Sequence, residues 1–137
     1  MAEHKTIDYY MTTDLVTLSP SDDIHVAMQE LVDNRISGAP VLAGSGQLVG
    51  ILTKKDCLNV VFRSSYHQDW AGRVEDFMKG PVETLEAGMP LIAAAEYFAN
   101  SKYRRFPVLR EGRMVGLISR HDILRALTDL WHAKGRS

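Results

Sequence analysis

Between Ile24 and Val32 the apolar residues Ile24, Ala27, Met28, Leu31 and Val32 fall at i, i+3, i+4, i+7 and i+8, the spacing of one apolar stripe along an α-helix. Leu91, Ala94, Ala95, Phe98 and Ala99 repeat it. Ser21 or Asp22 can cap the first of these helices, and Pro90, preceded by Gly88, suits the first turn of the second. Shorter apolar runs follow. Pro40-Val41-Leu42 and Leu48-Val49-Gly50-Ile51-Leu52 flank Gly44-Ser45-Gly46, while Pro107-Val108-Leu109 and Met114 to Ile118 flank Glu111-Gly112, so each pair predicts a β-hairpin. A second helix is then expected to begin at Thr53, carrying Leu58, Val61 and Phe62, and at Ser119, carrying Ile123, Leu124, Leu127, Leu130 and Trp131. An initial extended piece, Val16-Thr17-Leu18 or Val82-Glu83-Thr84-Leu85, completes each unit as β-α-β-β-α.

The pattern occurs twice because the sequence does. Met11, Thr17, Leu18, Ala27, Pro40, Val41 and Leu42 return 67 positions later as Met78, Thr84, Leu85, Ala94, Pro107, Val108 and Leu109. From Gly46 and Gly112 onward the offset is 66, carrying Gly50/Gly116, Asp56/Asp122 and Leu58/Leu124, which places a one-residue deletion in the hairpin turn. A repeat held this way implies two copies of one supersecondary unit packed together. The duplication includes a lead-in, since Ile7-Asp8-Tyr9-Tyr10-Met11 precedes the first copy as Val74-Glu75-Asp76-Phe77-Met78 precedes the second. We therefore expect repeat 1 over 7–62, a linker over 63–73 and repeat 2 over 74–130. The linker has no counterpart in the other copy, and Trp70 within it reads either as an aromatic anchor or as a surface on which a ligand stacks.

Composition narrows the function. The 137 residues are about one ordinary domain, enough for a shared core. Sixteen Lys and Arg against 17 Asp and Glu give a net charge of −1, without the basic excess of a nucleic-acid binder. Cys57 is the only cysteine, which excludes an intrachain disulfide and a cysteine metal cluster and suits a reducing compartment. The first residues lack the basic-then-apolar run of a signal peptide, and no apolar stretch reaches the length of a membrane span. The expectation is a cytoplasmic protein that contacts neither nucleic acid nor membrane. His4, His25, His67, His121 and His132 show no HxH or HExxH spacing, so no metal site is expected. Cys57, directly after Asp56 at a helix start, reads as a small apolar helix position or as a thiol of lowered pKa.

The candidate chemistry lies where each hairpin meets its second helix. Thr53-Lys54-Lys55-Asp56 and Ser119-Arg120-His121-Asp122 both fit a capping box, in which a hydroxyl residue and an acid three positions later satisfy the first helical amides. Capping alone accounts for those residues. It leaves unexplained why Lys54, Lys55, Arg120 and His121 stand in first turns, where the helix dipole is already positive and disfavours cations unless an anion binds there. Free amides, a hydroxyl and cations form a competent phosphate site. The aspartate would repel phosphate, but as an acceptor it can take two hydrogen bonds from a vicinal diol. Phosphate and diol together describe a ribonucleotide, with a 2′-phosphate excluded because it would meet the carboxylate. His121, beside the phosphate position, would make affinity depend on pH.

The repeated Gly-apolar-apolar-Thr/Ser-x-x-Asp, the Pro-Val-apolar strand before it and the Val-Thr-Leu lead-in resemble a tandem pair of cystathionine-β-synthase (CBS) domains, a Bateman module, over residues 7 to 130. The resemblance implies an α/β (α+β) fold in which two β-α-β-β-α repeats pack with pseudo-two-fold symmetry into one compact module. It implies two clefts between the repeats that take adenosine ligands such as AMP, ADP, ATP, NAD or S-adenosylmethionine, with AMP foremost, and dimerisation into a disc. By this resemblance the Asp122 cleft takes Ile118, Ser119 and His121 from its own repeat, Arg104 toward the phosphates, and Thr17, Ile36, Ser37, Gly38 and Ala39 around the base. The Asp56 cleft takes Leu52, Thr53 and Lys55, with Ser37 toward the phosphates and Thr84, Tyr103, Arg104, Arg105 and Phe106 near the base. Where the first has small Ser37-Gly38-Ala39, the second has Arg104-Arg105-Phe106, which would narrow the slot or stack on a base.

No nucleophile, acid/base pair or cofactor loop stands outside the two boxes, so the expected protein is not an enzyme and requires no cofactor. The leading expectation is a stand-alone, homodimeric regulatory module that binds an adenosine nucleotide and reports energy or redox state to an unidentified protein. The alternatives are a ligand-free dimeric scaffold whose boxes only cap helices and, third, a nucleotide hydrolase.

Overall fold

The computed structural model describes residues 6–67, 71–80 and 82–135. Trp70 and His4 lie outside these residues, as does part of the 63–73 stretch. The fold is mixed α+β, and its contacts divide it into two compact units: residues of Val16–Val82 form one, and those up to Leu15 together with those from Glu83 onward form the other. Each copy's lead-in thus packs on the other copy's sheet.

Within 16–82 the order is α1 (Ile24–Asp33), β1 (Gly38–Leu42), β2 (Leu48–Thr53), α2 (Lys54–His67) and the single turn α3 (Val74–Phe77). β1 and β2 pair antiparallel from Gly38↔Thr53 to Leu42↔Leu48. The core gathers Leu18, Ile24, Ala27, Leu31, Ala39, Val41, Leu52, Cys57 and Val60 with Val74 from the lead-in of the other copy. The second unit opens on a 3₁₀ turn at Ile7–Tyr9 and continues with β3 (Leu85–Glu86), α4 (Leu91–Ala99), β4 (Arg105–Arg110), β5 (Arg113–Ser119) and α5 (Arg120–Gly135). Its sheet runs β3-β4-β5. Ile7, fully buried, joins Leu85, Leu91, Phe98, Phe106, Val108, Ile118 and Ile123 in its core. Burial of such a side chain contributes about 1.5–3 kcal/mol, which fixes the lead-in to this sheet.

The copies differ at the first strand. Leu85 and Glu86 pair with Val108 and Leu109, and the amide of Ala87 extends the ladder to the Leu109 carbonyl at 2.9 Å. The corresponding position in the other copy is Pro20, which has no N–H to donate. The expected strand at Val16-Thr17-Leu18 therefore shrinks to one parallel bridge, Leu18↔Val41. The hairpin turns differ by the deleted residue. Glu111 and Gly112 both have positive φ, 52° and 78°, as a two-residue type I′ loop requires, whereas the longer turn places only Gly46 there, at 84°.

Several local expectations shift. Asp23, not Ser21 or Asp22, caps α1, accepting from the amides of His25 and Val26, while Asp22 closes the preceding turn by accepting from the Ser19 amide at 2.8 Å. Pro90 is the N-cap of α4, one position before the first turn. α2 continues through 63–67, the beginning of the stretch read as a linker. Its Leu58 and Phe62 are both 69% exposed, and its core face is instead Asp56, Cys57 and Val60. Val32 and Ala99, the last members of the α1 and α4 stripes, face outward as well.

Candidate functional site

The register of each hairpin carries the last strand residue to the start of the next helix. Gly38 lies opposite Thr53, and Arg105 lies opposite Ser119. The first helical amides are then handed to the strand across the sheet: Lys54 N–H donates to the Ser37 carbonyl at 2.9 Å, and Arg120 N–H donates to the Arg104 carbonyl at 2.9 Å. In one unit this brings Ser37, Gly38, Ala39, Leu52, Thr53, Lys55 and Asp56 together, with Ile36 next to Ser37 in sequence and Thr17 next to Leu18, which bridges Val41. In the other it brings Arg104, Arg105, Phe106, Ile118, Ser119, His121 and Asp122 together, with Tyr103 against Phe106 and Thr84 next to Leu85, which pairs with Val108. Of the set assigned to the Asp122 cleft, Arg104 and residues 118–122 thus lie in one unit and Thr17 with Ile36–Ala39 in the other. The set assigned to the Asp56 cleft divides likewise, into Ser37, Leu52, Thr53, Lys55 and Asp56 on one side and Thr84, Tyr103, Arg104, Arg105 and Phe106 on the other.

Both capping boxes close. The Thr53 amide donates to Asp56 Oδ2 at 2.8 Å, the Thr53 hydroxyl donates to the same oxygen at 2.8 Å, and the Asp56 amide donates back to that hydroxyl at 3.2 Å. In the second box the Ser119 amide donates to Asp122 Oδ2 at 2.9 Å and the Asp122 amide donates to the Ser119 hydroxyl at 3.1 Å. Each box commits Oδ2 and leaves Oδ1. A carboxylate oxygen has room for about two donors, so Asp56 Oδ2 is filled and Asp122 Oδ2 keeps one place. Asp122 is also the more open side chain, 13% exposed against 2% for Asp56.

Oδ1 faces a cation in both units. Lys79 Nζ lies 3.5 Å from Asp56 Oδ1, and Arg125 Nη2 lies 3.7 Å from Asp122 Oδ1. Neither residue appears among those expected from the sequence. Arg125 stands three residues after Asp122, a spacing that brings helical side chains together and could have been noticed. Lys79 follows Met78 in the other copy's lead-in, and nothing local to Asp56 signals it.

The cations of the first turns divide by role. Arg120 donates through Nη2 to the Ser101 carbonyl at 2.9 Å, just beyond α4, where a helix dipole is negative. Its position at a helix start therefore has a structural reason and needs no anion. Lys54, Lys55, His121, Arg104 and Arg105 are exposed. Phe106 corrects a second expectation. The residue is 1% exposed, and its ring packs against Tyr97, Phe98 and Tyr103 at centroid distances of 5.2, 5.0 and 5.9 Å, so Phe106 belongs to the core and offers no open ring for a base to stack on.

Cys57 is buried, and burial, followed by the charge of neighbouring Asp56, pushes its thiol above the ordinary value. This reverses the lowered pKa considered for a helix start and favours the small apolar reading. A groove of about 500 Å³ along α4 is lined by Glu83, Tyr97, Tyr103 and their neighbours. The Tyr97 hydroxyl donates to Glu83; this bond, then burial and the carboxylate charge, raises its pKa. Neither Ser119 nor Asp122 lines that groove. Among the described residues no group of His, Cys, Asp or Glu could hold a metal, and no helix is long and apolar enough to cross a membrane.

Comparison with known proteins matches the CBS domain family at residues 6–63 and 74–129. Protein MJ1225 of Methanocaldococcus jannaschii is 26% identical over 121 residues, covering 88% of this chain and 42% of the relative. Inosine-5′-monophosphate dehydrogenase of Aquifex aeolicus is 32% identical over 112 residues, covering 80% of this chain and 22% of the enzyme. The chain thus spans less than half the length of either. Among solved structures, CBSX2 of Arabidopsis thaliana, in complex with AMP, superposes with a TM-score of 0.77 at 26% identity, covering 92% of this chain and 98% of that one.

Proposed function

We propose, from the premise that this chain belongs to the CBS domain family, that it is a regulatory module that binds an adenosine-containing nucleotide and signals energy or redox state to another protein by a change of conformation. The observation that carries this reading is the doubled box. At the start of a helix in each unit a carboxylate spends one oxygen on capping and turns the other toward an exposed cation, which is the acceptor a ribose diol needs. The AMP-bound structure of the related CBSX2 supports an adenosine ligand, and we take AMP as the first candidate ahead of ADP, ATP, NAD and S-adenosylmethionine.

The Asp122 site is the stronger of the two, because its carboxylate is more open and its box leaves more acceptor capacity. Its ligand would use Ser119, His121, Ile118 and Arg104, with Thr17, Ile36, Ser37, Gly38 and Ala39 completing the cleft as the family resemblance implies. The Asp56 site would use Ser37, Leu52, Thr53 and Lys55, with Thr84, Tyr103, Arg104 and Arg105, and with Phe106 buried behind them. A homodimer is part of the proposal: Leu58 and Phe62 of α2 and Leu124 and Trp131 of α5 are 62–72% exposed, more apolar surface than a helix facing water needs.

Titration calorimetry of nucleotide-stripped protein with AMP, then ATP, NAD and S-adenosylmethionine, tests the reading, with Asp122→Asn as control. Micromolar binding lost in the variant is expected, and incubation with ATP should yield no hydrolysis product. The second reading is a ligand-free scaffold, favoured by the completeness with which both boxes cap their helices. Absence of heat with every ligand, in folded protein, would select it.

A further inference from the structure

On the reading above that Asp56 and Asp122 hold a ribose diol, we propose that the same two aspartates fasten the exchanged lead-in segments, so that nucleotide and lead-in compete for one carboxylate oxygen and binding loosens the lead-in. The oxygen in question is Oδ1, since Oδ2 takes the box bonds in both units and is filled in Asp56, with one acceptor place left in Asp122. In one unit its partner is Lys79 Nζ at 3.5 Å, and Lys79 directly follows the last lead-in residue, Met78: its backbone exchanges two hydrogen bonds of 2.9 Å with Ile51 on the edge of β2. In the other unit Arg125 Nη2 stands between Asp122 Oδ1, at 3.7 Å, and the carbonyl oxygen of Tyr10, at 3.3 Å. Its guanidinium also lies over the Tyr10 ring, 5.4 Å from the centroid. Two residues on, Thr12 exchanges hydrogen bonds of 2.8 and 2.9 Å with Leu117 on β5.

The repeat does not explain this match. Lys79 corresponds to Thr12 and Arg125 to Asn59, so the two units reach the same connection, site carboxylate to cation to lead-in, through residues that are not counterparts. A diol hydroxyl arriving at Oδ1 is a donor in the position a cationic donor already holds. Displacing that cation frees Lys79 in one unit, and in the other releases Arg125 from its place beside the Tyr10 carbonyl. Both cations are substantially exposed, at 68% and 47%, which makes them weak fasteners that a ligand can move. Binding and fastening must then oppose each other by equal factors.

The test uses the full chain, with AMP affinity read by calorimetry and amide exchange at Thr12 and Lys79 read by NMR, in wild type, Arg125→Met and Lys79→Met. AMP should speed exchange at Thr12 and Lys79 even as it protects residues around the boxes. The variants should bind AMP about two- to fivefold tighter, the range an exposed ion pair supports, with the corresponding lead-in amide already fast before ligand is added. Unchanged or weaker affinity in the variants, or exchange at Thr12 and Lys79 that AMP slows or leaves alone, would overturn this proposal while the nucleotide reading stands. Failure of AMP and the other adenosine ligands to bind even the wild type would remove both.

Discussion

The amide of Thr53 donates to Asp56 Oδ2 at 2.8 Å, and the amide of Asp56 donates back to the Thr53 hydroxyl at 3.2 Å. The same reciprocal pair links Ser119 and Asp122, yet the two aspartates are not equivalent. Asp56 is almost wholly enclosed and takes a second bond from the Thr53 hydroxyl. Replacing it with asparagine turns an amide N–H toward Lys79 and leaves buried groups imperfectly paired. We expect Asp56→Asn to cost about 1–3 kcal/mol and Asp122→Asn about 1 kcal/mol or less. Urea unfolding of the two variants measures the difference, and equal costs would contradict it.

Glycine at position 116 is required by the lead-in that crosses it. A Cβ there would stand 2.5 Å from Met11 Sδ and 3.0 Å from the Thr12 carbonyl oxygen, whereas a Cβ at Gly44 would meet nothing within 4 Å. The methionine can swing aside, but the backbone carbonyl cannot. Gly116→Ala should cost about 1–3 kcal/mol and disturb the Thr12–Leu117 pair, while Gly44→Ala should be neutral. Thermal unfolding with NMR of the Thr12 amide distinguishes them.

These contacts mark how far the sequence could be read. The duplication, the hairpins and the two boxes were legible because each rests on local spacing: Thr53 to Asp56 and Ser119 to Asp122 are three residues apart. The exchange of lead-ins was not, because Ile7 reaches a core built from residues 85–126, and Val74 a core built from 18–60. Nothing in the local pattern chooses between the two sheets. α2 misled for a related reason. Leu58, Val61 and Phe62 form an apolar stripe, but the sheet takes the adjacent face, where Cys57 and Val60 flank the capping aspartate. The box fixed the helix's rotation more firmly than its hydrophobicity did.

Cys57 gives a pH dependence with a definite sign. Its thiol is raised above the ordinary value by burial and by Asp56, so the folded state favours the protonated form. That preference is intact below the unfolded pKa of about 8.5 and is lost as pH climbs from there through the higher folded value. The urea midpoint should therefore fall more steeply above about pH 8.5 in wild type than in Cys57→Ala. Parallel curves would show that the thiol does not titrate differently on folding.

Glu111 holds a conformation that glutamate disfavours, φ 52° ahead of Gly112 at 78°. Asparagine tolerates that region better and precedes glycine in many type I′ turns. Glu111→Asn should raise stability by about 0.5–1 kcal/mol, read as a higher unfolding midpoint with an unchanged denaturant slope.

The exchange of lead-ins also decides which fragment can fold. A cut along the sequence repeat, 6–67, discards Val74, Phe77 and Met78, which cover the core around Leu52 and Val60. It also keeps Ile7 without the Leu85–Ile123 core that buries it. A cut along the spatial unit, 16–82, retains α3, the Lys79–Ile51 bridge and the Asp23–Arg73 bridge. Losing one buried aliphatic side chain typically costs about 2–5 kcal/mol, a large part of the stability of so small a unit. The 16–82 fragment should accordingly show a cooperative urea transition and dispersed amide resonances, and 6–67 should show neither. Equal behaviour of the two fragments would mean that the exchanged segments contribute little to either core.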